Sequence, residues 1–188
     1  MNKIIATTLT CSALVVAGAS VSGCAMLFGS KADDSSLVPF STISSTAYGG
    51  MLSDWDSQAQ PVRCAVIRSQ SEWDYWFQPP QLTKGKRIIL HNEDALAPKE
   101  HYFETRQLLL ATRVITAPDS AERDQIFTAE KVTMKEGVLK LHYRFNPPLS
   151  GATYTVKDFL LVEIPKDRYT TGPVQFIENQ HKVCEIGR

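Results

Sequence analysis

The densest run of side chains able to do chemistry is His91 to Glu104, HNEDALAPKEHYFE. His91, Glu93, Asp94, Glu100, His101 and Glu104 supply the nitrogen and oxygen donors that a divalent ion takes. His101 and Glu104 stand three apart, so one helical turn would put both on one side. A metal-dependent enzyme built on this segment is therefore one reading. Pro98 interrupts any continuous helix there, and nothing in the spacing forces the donors to converge. A solvated acidic loop without metal is the reading preferred. His181 and Cys184 form H-x-x-C, but two ligands fall short of a zinc site, and a strand would point them to opposite faces. No G-x-S-x-G elbow and no glycine-rich phosphate loop occurs. No catalytic residue and no cofactor is assigned, and the chain is expected not to be an enzyme.

A different chemistry is written at Val21-Ser22-Gly23-Cys24. Lys3 opens the chain, and Ile4 to Val21 is mostly apolar but too short and small-sided for a dependable membrane span. The stretch resembles the lipobox of bacterial lipoproteins, with Val21 where leucine is commoner. That resemblance implies cleavage after Gly23, and a diacylglycerol thioether (palmitate-class chains) on Cys24. It places the mature protein in the bacterial cell envelope, exported and lipid-anchored. Ala25 in place of aspartate favours the outer membrane if the cell has two. The expected organisation is a lipoprotein signal peptide at 1–23, a lipidated N-terminus and polar leash at 24–37, and one domain at 38–188.

Removing Met1 to Gly23 leaves about 165 residues, enough for one core. Twenty Lys and Arg balance twenty Asp and Glu. This neutrality gives no general electrostatic pull toward nucleic acid or anionic headgroups. Cys11 leaves with the signal, so Cys64 and Cys184 remain as an even pair in an oxidising compartment. A disulfide between them is the simplest chemistry, with two buried thiols as the alternative. It would require the first core strand and the last to be neighbours, with alpha-carbons within roughly 7 Å.

The elements around these residues follow from periodicity. Val62 to Ile67 reads as a strand. Ser69-Gln70-Ser71-Glu72 has capping-box spacing, and Trp73, Trp76 and Phe77 follow at helical spacing until Pro79-Pro80. The aromatic trio is expected in the core. Arg87 to Leu90, Gln107 to Thr116, Gln125 to Met134, Val138 to Phe145, Val156 to Ile164, Val174 to Glu178 and Lys182 to Ile186 read as strands. Gln107 to Thr116 suits burial on both faces at its start. In Val138 to Phe145, Lys140, His142 and Arg144 alternate with apolar residues, as on a sheet with one wet face. Lys135-Glu136-Gly137 predicts a hairpin loop of three to five residues, and Tyr48-Gly49-Gly50-Met51 a bend. The fold class is mainly β: a single antiparallel β-sandwich or open barrel with one short helix.

The Val38-Pro39-Phe40 opening, the Tyr48-Gly49-Gly50 turn, Val66-Ile67-Arg68-Ser69 leading into Ser71-Glu72-Trp73, and Leu161-Val162-Glu163-Ile164-Pro165-Lys166 together resemble the PrcB C-terminal domain family. That family is named for a lipoprotein subunit of a bacterial surface-protease complex. The resemblance covers Val38 to Ile186, with Thr83 to Lys99 as an addition. It implies a β domain that binds an exported partner, a protease being the first class to test, and it carries no catalytic residues. The expected function is thus a membrane-tethered, non-catalytic accessory module. A structural lipoprotein without a dedicated partner is the blander alternative.

Overall fold

Two sheets pack face to face in the computed structural model, which describes residues 35–45, 52–77, 98, 101–116, 123–149 and 153–187. The five-stranded sheet runs β1 (Ser36–Val38), β5 (Phe127–Lys135), β6 (Val138–Phe145), β8 (Val174–Glu178), β9 (His181–Ile186). The four-stranded sheet runs β2 (Ser41–Ile43), β7 (Thr155–Pro165), β4 (Arg106–Thr116), β3 (Val62–Ile67). The fold is a β-sandwich.

Period-two alternation explains how one chain fills two layers. Val66, Leu109, Ala111, Leu160, Val162 and Ile164 point between the sheets, where they meet Val38, Val132, Leu139, Leu141, Tyr143, Val174 and Phe176. The odd residues of β3 and β7 and the even ones of β4 point the other way. There Ala65, Ile67, Leu108, Leu110, Phe159 and Leu161 pack under Trp73, Trp76 and Phe77. The four-stranded sheet is therefore covered on both faces, which is why Leu108, Leu109 and Leu110 are all buried. The five-stranded sheet keeps one wet face, so β6 alternates cleanly.

Helix α1 (Gln70–Trp76) supplies that outer cover. Ser69 Oγ accepts from Glu72 N at 3.2 Å, and the Glu72 carboxylate reaches back to Arg68 N at 2.5 Å. Trp73 stacks on Phe77 at 4.3 Å between centroids, and Phe77 meets Phe159 edge-on at 5.2 Å. The trio belongs to the core. Two single-turn helices also form, α2 (Tyr102–Thr105) and α3 (Arg123–Ile126), with a 3-10 turn at Lys166–Arg168.

Four sequence expectations change. The β6–β8 pair is parallel, where an all-antiparallel sheet was expected. Between those strands the chain crosses to the other sheet as β7, and it returns running the same way. The strand expected from Gln125 starts at Phe127, because the carbonyls of Gln125 and Ile126 turn to accept from Asn146 Nδ2 and N at 3.0 and 2.8 Å. The hairpin loop shortens to Glu136 and Gly137, with φ of 52° and 77° and Lys135 kept in register with Val138. Both residues lie in the left-handed region, as a two-residue hairpin matched to strand twist requires. Finally, the expected leash loses its end to the sheet. Ser36 and Leu37 pair with Met134 and Thr133, since an edge strand needs backbone hydrogen bonds rather than an apolar pattern.

Cys64 and Cys184 form a disulfide with alpha-carbons 6.3 Å apart. The signal peptide, Cys24, the Tyr48 to Met51 bend, Pro79-Pro80 and the Arg87 to Leu90 strand lie outside the described residues.

Candidate functional site

His91, Glu93, Asp94 and Glu100 lie outside the described residues. His101 and Glu104 are described: His101 Nδ1 and Glu104 Oε1 are 2.5 Å apart, both side chains exposed, at the start of α2. Among the described residues, no group of three metal-capable side chains converges. A bulge between Phe176 and Ile177 puts Cys184 opposite Phe176 and His181 opposite Glu178. This corrects the expectation of opposite faces, because the extra residue shifts the alternation. His181 nevertheless stays exposed, and the Cys184 sulfur is bonded to Cys64.

Lys140, His142 and Arg144 stand on the solvent side of β6 as expected. Arg144 pairs with Glu130 at 2.8 Å, and His142 Nε2 lies 3.5 Å from Thr133 Oγ1.

A surface cluster not anticipated from the sequence is built where residues 52–56 lie against the end of α1. Leu52 bridges Phe77, and Ser53 N donates to Trp76 O at 2.8 Å while Ser53 Oγ donates to Tyr75 O at 2.5 Å. Asp56 accepts from Gln58 N and Ala59 N at 3.0 and 3.2 Å, turning the chain so that Trp55 Nε1 donates to Gln60 O at 2.9 Å. The Trp55 ring thereby reaches β3 and β7. The Arg63 guanidinium sits 4.3 Å from the Trp76 ring centroid and 5.9 Å from that of Trp55. Lys157 Nζ lies 4.4 Å from the Trp55 centroid, donates to Trp55 O at 3.1 Å and pairs with Asp54. Tyr75 meets Trp76 edge-on and remains 60% exposed. Trp55, Arg63 and Tyr75 are thus open to solvent, in part or largely, around the buried Trp76 ring, and Trp, Tyr and Arg are the residue types that anchor protein interfaces. The legible sign was Tyr75, an aromatic residue off the apolar face of α1.

Between the sheets lies a largely buried polar set. Glu178 is buried, accepts from Tyr143 Oη at 3.0 Å and from Arg113 Nε at 3.1 Å, and Arg113 Nη2 donates to its other oxygen. Arg113 comes from β4, whereas Tyr143 and Glu178 come from the facing sheet, so this pairing ties the layers together. Burial, and then the Glu178 charge, push the Tyr143 phenol above the ordinary tyrosine range. No family model, curated protein or solved structure matches the chain.

Proposed function

We propose that the chain is an envelope lipoprotein anchored through Cys24, whose β-sandwich is a non-catalytic module that binds another exported protein. The observation that carries this reading is the Trp55–Arg63–Trp76–Tyr75 cluster. The Trp55 ring is held by its bond to the Gln60 carbonyl and the Trp76 ring is buried beneath Arg63, so little freedom of these two rings remains to be lost on docking. A tether would keep this surface at high local concentration near a membrane-bound partner. The lipobox-like stretch supports the address, and the resemblance to the PrcB C-terminal domain family makes an exported protease complex the first partner class to test.

The test is crosslinking in native membranes, then recovery of the tagged chain and mass spectrometry. Repeated recovery of one exported protein with the wild type, and its loss with Tyr75→Ala, supports the reading. Recovery of the chain alone contradicts it. The address is tested separately: Cys24→Ser should leave the membrane fraction.

A further inference from the structure

We propose that the lysine-rich wet face of the five-stranded sheet is the surface by which the domain lies against an anionic lipid bilayer. The register sets Lys131 opposite His142 and Thr133 opposite Lys140, with Lys135 farther along the same face. With Ser35 these residues line a shallow groove of about 110 Å³. Elsewhere on this sheet Glu130 pairs with Arg144 at 2.8 Å and Glu185 with Lys182 at 2.7 Å. Among the described residues, Lys131 and Lys140 form no ion pair. Leu37 shares the face, opposite Thr133, and is 75% exposed. An exposed leucine among lysines matches a headgroup layer, which offers phosphates to the cations and an acyl boundary to the apolar side chain.

The chain's own path argues for a bilayer as occupant. The inference rests on the proposed anchor at Cys24. Eleven peptide steps separate Cys24 from Ser35, which at full extension span no more than about 40 Å. Ser35 itself lines the groove, so the chain enters β1 at this face. The aromatic cluster sits on the opposite side of the sandwich, over the outer face of the four-stranded sheet. A domain lying on its lysines would therefore present Trp55 and Tyr75 away from the membrane. Each lysine near an anionic surface strengthens attraction about five-fold. Asp33 and Asp34, which precede Ser35, are the rival partners for the same cations.

The experiment uses the protein purified with its lipid and reconstituted in vesicles of phosphatidylcholine, with or without phosphatidylglycerol. Lysines are acetylated and each site is scored by mass spectrometry. Labelling of Lys131 and Lys140 is expected to fall at least five-fold on the phosphatidylglycerol vesicles, with Lys157 unchanged and high salt restoring reactivity. A Lys131→Gln/Lys140→Gln variant, altered only at the surface, should lose the protection of Lys135. Equal labelling on both vesicles overturns the proposal. So does protection already complete in detergent, which would assign the lysines to Asp33 and Asp34, or equal protection by inorganic phosphate alone. The mass of the N-terminal peptide scores Cys24 independently. An unmodified Cys24 would sink the anchor, while vesicles added to the same protein would still report on the lysines.

Discussion

Cys64 and Cys184 join the outermost strands of the two sheets, β3 and β9, with alpha-carbons 6.3 Å apart. At the opposite edge, Pro39 and Phe40 carry the chain directly from β1 to β2. Both open edges of the sandwich are thus linked, one by the chain and one by sulfur. In the chain-entropy account, closing a loop of 120 residues contributes about 4–5 kcal/mol. The Cys64→Ser/Cys184→Ser variant should unfold at much lower denaturant, and reductant should bring the wild type to the same midpoint. Coincident midpoints for all samples would show that the bond adds nothing.

Tyr143 gives the fold an alkaline limit. Its phenol is raised in the folded state and near the ordinary value, about 10, in the unfolded chain. The stabilisation is therefore complete below about pH 10. It declines above that at up to about 1.4 kcal/mol per pH unit, as the unfolded chain sheds the proton the folded one retains. Tyr143→Phe, which loses a hydrogen bond to a carboxylate, should cost about 1.5–3 kcal/mol near neutrality. The wild-type advantage should shrink in urea titrations above about pH 10.

Trp73 and Tyr75 are two residues apart in α1 and should behave oppositely. Trp73 is 1% exposed, so Trp73→Ala should cost about 3–5 kcal/mol. Tyr75→Ala should stay within about 0.5 kcal/mol of the wild type while losing the proposed partner. Thermal melts paired with crosslinked recovery separate the two outcomes.

Gly172 is held where a side chain has no room. Its φ is 130°, and a Cβ would come 2.6 Å from the Gly137 carbonyl oxygen. Gly172→Ala must push the loop off the β5–β6 turn, at an expected cost of about 1–3 kcal/mol. Gly137→Ala meets no atom within 4 Å and carries only backbone strain, so its melting point should fall less.

Much of the fold was legible because local pattern and tertiary role coincide. Leu139, Leu141 and Tyr143 alternate with Lys140, His142 and Arg144 because one face is wet. Gln107 to Thr116 is continuous because both its faces are covered. Ser69 and Glu72 announce α1 through hydrogen bonds that span only a few residues. The parallel β6–β8 pairing was not legible, since β7 must first be known to lie in the other sheet. Neither was the aromatic cluster, which joins Trp55, Arg63, Tyr75 and Lys157 from separate elements. The Arg113–Glu178 pair spans 65 positions, and isolated charges on strands carry no sign of their partner.

Crosslinked recovery from native membranes, comparing the wild type with Tyr75→Ala, tests the central claim most directly. One exported protein retained by the wild type and lost by the variant, at equal abundance and equal melting temperature, is the result expected of a tethered binding module. The same recovery from both chains would contradict the assignment of the aromatic cluster, and no partner from either would contradict the binding role.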